Sequence, residues 1–265
     1  MEDIIAQVLS VIIFGGLGVM AVTLTLKKSR GHKNRLKASK HRGWEYQAVS
    51  KTINYVAGES SDSPDRAVLY RLRGTLNDAA SWLIESRFRH TRGDSGVATE
   101  KSTFWQCQTA ATPGLYIHIM AKTSPGVTII GGDKEAELQN LTLEQGRYSL
   151  GRELRRFGVS SADGILETVQ QLAIGSENWQ EKFNLFSSEE EAAKCILENK
   201  LLSALLDWVG KYKQAEYPVI TFCPQGVQVT LQWTVENIET LDQLVALGEI
   251  VLQSQVECRD RTVLL

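Results

Sequence analysis

Only four cysteines occur in the 265 residues (Cys107, Cys195, Cys223 and Cys258), and no two stand in a Cys-x-x-Cys spacing. That leaves no support for a zinc ribbon or a thioredoxin-type redox site, which need closely spaced thiols. A phosphate-cradling GxxxxGK[ST] loop, an HExxH pair, a GxSxG elbow and a DxD pair are also missing. Each is a spacing that brings a particular chemistry together, so no nucleotide-loop, metalloprotease or hydrolase reading has a starting point. No metal and no cofactor is expected. A further absence is local: from Ile4 to Leu26 there is no charged residue.

Those 23 positions, wound as a helix, would span roughly 35 Å, enough to cross a hydrocarbon core of about 30 Å. A cleaved secretory signal has a basic start, a shorter apolar core and a small-x-small cleavage site. Here the start is Met1-Glu2-Asp3, the apolar run is long, and it ends in Leu26-Lys27-Lys28 without Ala-x-Ala. Residues 1–26 are therefore expected to be a transmembrane anchor. Gly15, Gly16 and Gly18 do not make a GxxxG spacing and read as lipid-facing glycines of the kind common in membrane helices.

The next stretch contains no acid. Lys27, Lys28, Arg30, Lys33, Arg35, Lys37, Lys40 and Arg42 are eight positive charges in a row of sixteen residues. Basic flanks stay on the cytoplasmic side, so the N-terminus is expected outside and the rest of the chain in the cytoplasm. The same eight residues are the expected membrane-surface contact, because each basic charge near anionic lipid contributes about 1 kcal/mol. Residues 27–42 are read as a basic juxtamembrane linker.

The remainder of the chain, 43–265, has the opposite sign. Eight of the 29 basic residues lie in that arm and two of the 31 acids precede Ile4, which leaves 21 basic against 29 acidic residues in 43–265. A nucleic-acid-binding body usually carries a basic face, so nucleic acid is not an expected partner. The expected partners are the lipid bilayer and another protein. The 223 residues suffice for one large domain, and reduced, scattered cysteines suit a cytoplasmic one.

The expected fold class is α+β, a mostly antiparallel sheet with packed amphipathic helices, with a sub-boundary near 133–178. Strands are expected over Ala67–Leu76, Ser81–Arg89, Thr103–Thr109, Leu115–Lys122 and Val127–Ile130, with 90–100 as a flexible loop. In the second of these, Trp82, Ile84, Ser86 and Phe88 alternate with Leu83, Glu85, Arg87 and Arg89, giving one apolar and one wetter face. A short helix is expected within Ala162–Ile174 and a strand over Trp179–Phe186. Ser188–Val209 reads as one long helix, with Ser187 as N-cap and Glu190 completing a capping box. Its apolar stripe is Ala193, Ile196, Leu197, Leu201, Ala204, Leu205, Trp208 and Val209. Pro218–Phe222 and Val227–Trp233 read as a hairpin and Ile238–Leu252 as a last amphipathic helix.

The order of a single membrane helix, a basic arm, the Gly43-Trp44-Glu45-Tyr46 opening, a Phe-x-x-Phe-Ser-Ser-Glu segment leading into a long helix (Phe183 to Leu206), then a hairpin and a helix resembles single-pass bacterial membrane proteins of unknown function. The resemblance implies a bacterial inner membrane and brings no catalytic residues with it.

Two pieces of chemistry can be weighed. Cys107 and His118 lie on consecutive expected strands, and a Cys–His pair can form a nucleophile, but no third group is available to orient it. Gly131-Gly132-Asp133-Lys134-Glu135 resembles the start of the GGDEF signature of nucleotide cyclases but lacks its Glu-Phe ending, and reads as a turn. The reading that fits best is a membrane-tethered cytoplasmic interaction or scaffold domain. The alternatives are a membrane-bound enzyme with a site assembled from scattered residues, and a regulator acting at an anionic lipid surface.

Overall fold

The computed structural model describes residues 31–49, 65–76, 80–93, 96–109, 115–122, 134–159, 163–198 and 200–263. The expected anchor at Ile4–Leu26, the expected strand at Val127–Ile130 and the Gly131–Asp133 turn lie outside them. Among the described residues no helix is long and apolar enough to cross a membrane.

The protein is α+β, its described residues built on one nine-stranded antiparallel sheet with helices against both faces. In chain order the strands are β1 (Glu45–Ala48), β2 (Asp65–Leu76), β3 (Ala80–Gly93), β4 (Gly96–Gln108), β5 (Ile117–Ala121), β6 (Gln170–Leu172), β7 (Phe183–Ser187), β8 (Val219–Cys223) and β9 (Gly226–Leu231). Their order across the sheet is β1-β2-β3-β4-β9-β8-β5-β7-β6. The helices are α1 (described over 31–41), α2 (Lys134–Arg156), α3 (Asp163–Thr168), α4 (Glu177–Gln180), α5 (Glu190–Ile196), α6 (Lys200–Lys211) and α7 (Ile238–Val263).

Strand periodicity sorts the sheet into two faces. Trp82, Ile84, Trp105, Cys107, Val227, Val229, Ile220, Phe222, Ile117 and Ile119 are all buried in the main core. That core is closed by the stripe Ala193, Ile196, Leu197, Leu201, Leu205 and Trp208 from α5 and α6, and by Leu241, Leu244, Val251 and Leu252 from α7. The other face is wetter. There Leu150 and Leu154 of α2 meet Phe186, Cys223 and Val169 in a small second core, with Ile165 and Leu166 of α3 at its margin. One glycine on each side brings a helix down onto an aromatic ring. A Cβ on Gly248 of α7 would lie 2.3 Å from the Trp105 indole, and one on Gly146 of α2 would lie 2.4 Å from the Phe186 ring.

Several elements differ from expectation. The described residues of the polar stretch 90–100 are strand and not loop: β3 and β4 stay paired as far as Gly93↔Gly96, because ladder hydrogen bonds satisfy the backbone whatever the side chains. Within the sub-boundary expected near 133–178 lies a 23-residue helix, α2. Its core side carries Leu143, Leu150 and Leu154, with Gly146 where a further apolar residue would mark the period. The expected long helix at 188–209 is two helices. Ser187 ends β7, and its hydroxyl accepts from the Glu189 N–H at 3.0 Å while donating to the Glu189 carbonyl at 2.8 Å. Glu189 is the N-cap and makes no side-chain cap. A tightened turn, with Glu198 N–H on the Cys195 carbonyl, separates α5 from α6 and lets both pack on α7.

Candidate binding groove

The wetter face of the sheet is where charge gathers. Glu85 and Arg87 of β3 point there together, as the period-two pattern requires. Glu85 is almost wholly buried, gripped by Arg71 of β2 at 2.6 Å and by the Arg87 Nε. Arg87 also lies over the Phe104 ring of β4, 4.7 Å from its centroid, so its guanidinium covers that aromatic face.

On the opposite wall, α2 closes one side. Tyr148, Arg152 and Arg155 stand at i, i+4 and i+7 on one helical face, with Arg156 beside them. Under them Glu153 is fully buried. It accepts from Arg156 Nη1 at 2.6 Å, from the Thr230 hydroxyl at 3.0 Å and from the Gln228 amide. Gln228 donates in turn to Thr230 at 2.7 Å. Arg152 reaches out to Glu100 of β4 at 3.4 Å. A carboxylate taken out of water is tolerated only with such pairing. Glu85 thus holds Arg87, and Glu153 holds Arg156, at the wall of one cavity.

That cavity is a groove of about 780 Å³ between the C-terminal part of α2 and strands β3, β4 and β9. Among the described residues its lining has five basic side chains (Arg87, Lys101, Arg152, Arg155 and Arg156) and one acidic, Glu100, with Tyr148 and Ser102 among the rest. Arg155 is exposed and makes no ion pair with a described residue. Tyr148 is 70% exposed, the one large hydrophobic residue so exposed among those described. Fixed guanidinium groups present planar pairs of donors, the geometry that carboxylate and phosphate groups accept.

The eight basic residues expected at the membrane surface divide. Lys27, Lys28 and Arg30 lie outside the described residues. Lys33, Lys37 and Lys40 are exposed along α1. Arg35 and Arg42 turn inward. Arg35 lies over the Tyr70 ring at 4.6 Å and reaches the Glu236 carbonyl at 3.4 Å. Arg42 makes two bonds to Asp242 at the start of α7. His32 meets the Tyr46 hydroxyl at 2.9 Å. Burial pushes the Tyr70 phenol up to about 12, with Arg35 pulling the other way. Of the segment read as a linker, residues 31–41 are therefore helical and seated on the domain.

Cys107 and His118 do not come together. Strands β9 and β8 separate theirs. Cys107 faces the main core, where burial raises its thiol pKa. His118 faces α2, fully buried, its Nδ1 3.0 Å from the Thr221 hydroxyl. Burial, and then Arg152, lower it to about 3. Neither is placed to act as nucleophile or base. Among the described residues no three His, Cys, Asp or Glu side chains cluster as a metal would need.

Sequence reasoning missed the groove. Its signals were present in Glu85 and Arg87 on the wet face of β3 and in the Tyr148, Arg152, Arg155 spacing. What brings them together is the pairing of β4 with β9, which no local pattern announces. No protein-family model, no curated protein and no solved structure matches the chain.

Proposed function

We propose that this chain is a single-pass protein of a bacterial inner membrane, N-terminus outside, whose α+β domain is a cytoplasmic interaction or scaffold domain held at the lipid surface. The observation that carries this is the two-sidedness of α1. Its Arg35 and the adjoining Arg42 bind the domain, while Lys33, Lys37 and Lys40 are exposed and can meet anionic headgroups. A helix fixed on both sides supports a domain with a set orientation at the bilayer, as opposed to one swinging on a loose tether. Such an orientation matters for a module that must present a surface to a partner.

Alkaline extraction of native membranes followed by mild detergent and sizing tests both halves. The chain is expected to resist carbonate and then to migrate with additional protein. Release by carbonate contradicts the anchor, whereas migration as a lone chain in its detergent micelle contradicts the interaction role.

A further inference from the structure

We infer that the groove between α2 and β3–β4–β9 is the docking site for an acidic, extended segment of a partner protein. The inference rests on the interaction-domain reading but not on the anchor.

Charge is the first ground. The domain from Gly43 onward has more acids than bases, yet among the described residues the groove reverses that sign, with five basic side chains to one acidic in its lining. A basic excess remains when the buried Glu85 and Glu153 behind them are counted. A local reversal of this kind attracts and orients an anionic partner while the acidic remainder repels misplaced ones. The second ground is order. Arg87 and Arg156 are each tied by one nitrogen to a buried carboxylate, so part of the entropy cost of holding them is met by the fold. Arg155 and Lys101 stand beside them without an ion pair to a described residue. The third ground is Tyr148. An exposed tyrosine flanked by arginines is the composition of the energetic centre of a protein interface, and nothing in the recognition of a bare phosphate calls for it.

Position separates this site from the lipid surface. Arg35 of α1 packs on Tyr70, whose side chain belongs to the main-core face of the sheet. The neighbouring Arg71 points to the groove face, where it meets Glu85. Lipid contact through α1 therefore leaves the groove uncovered.

Purified full-length chain in mild detergent, titrated into a fluorescein-labelled oligoglutamate peptide, tests the inference by anisotropy. Binding is expected, weakening as salt is raised. Arg155→Glu and Lys101→Glu, both at exposed positions, should each weaken it about tenfold, which corresponds to about 1.4 kcal/mol. Tyr148→Ala should weaken it as well, and Lys33→Glu on α1 should leave it unchanged. Melting curves of the variants should match that of the wild type. Absence of peptide binding, or wild-type affinity in Arg155→Glu, overturns the proposal. So does tighter binding of tripolyphosphate or of an oligo-dT strand at the same groove, since the ligand is then a phosphate.

Discussion

Arg42 and Asp242 face each other across 200 residues of chain and are joined by two nearly parallel bonds, Nε to Oδ1 at 2.6 Å and Nη2 to Oδ2 at 2.5 Å. The pair ties the end of the basic segment to the N-terminal part of α7. Both side chains are about one-third exposed, so the pair contributes only about 0–1 kcal/mol to global stability. Its effect is local. Asp242→Ala should leave the melting temperature nearly unchanged and should raise amide hydrogen exchange over 31–41. Unchanged exchange there would mean that the contacts of Arg35 and His32 seat the helix without the Arg42–Asp242 pair.

Glu153 should be the most sensitive charged residue. Its removal leaves Arg156 without its buried partner and breaks the bonds from Thr230 and Gln228. Glu153→Ala should destabilise the domain by about 3–5 kcal/mol. Glu153→Gln, which keeps an acceptor, should cost less. Denaturant midpoints for the two variants check the order.

His118 gives the domain an acid sensitivity whose sign is fixed. Its folded pKa of about 3 lies below the ordinary 6.5. Between those values the unfolded chain takes up a proton that the folded chain refuses, so stability falls as pH drops below about 6.5 and levels off near 3. His118→Gln should flatten that part of the stability curve. An unchanged slope between pH 7 and 4 would assign the acid sensitivity to other groups.

Thiol labelling reads the core directly. Cys107, Cys223 and Cys258 are buried and Cys195 is half-buried. Burial raises the Cys107 thiol and pushes that of Cys223 up to about 11. Iodoacetamide applied to the native protein should therefore modify Cys195 first. Early modification of Cys107 would contradict its place between the sheet and α7.

Much of the sheet was legible because period-two alternation is strong where one face is dry, as in Trp82, Ile84, Ser86 and Phe88. The stripe from Ala193 to Trp208 was legible too, although two helices share it, since a tight turn preserves the phase of the buried side. The long α2 was obscured by its polarity and by Gly146, which contributes closeness to Phe186 in place of bulk. The groove was hidden for a different reason. Its basic residues come from segments whose neighbourhood depends on strand order, and β8 and β9 enter the sheet between β4 and β5 without a local signal.

In the proposed reading, the side of the membrane on which the domain lies decides which partners it can meet. Moving the basic run after Leu26 outward is opposed by about 2.3 kcal/mol per charge per 100 mV, and only Glu2 and Asp3 precede Ile4 as charged residues. Fusions after Leu265 measure this directly. A reporter active only in the cytoplasm should be active there, and a phosphatase active only in the periplasm should be silent. A strongly active phosphatase would place the domain outside the cytoplasm and contradict the orientation on which the proposed function rests.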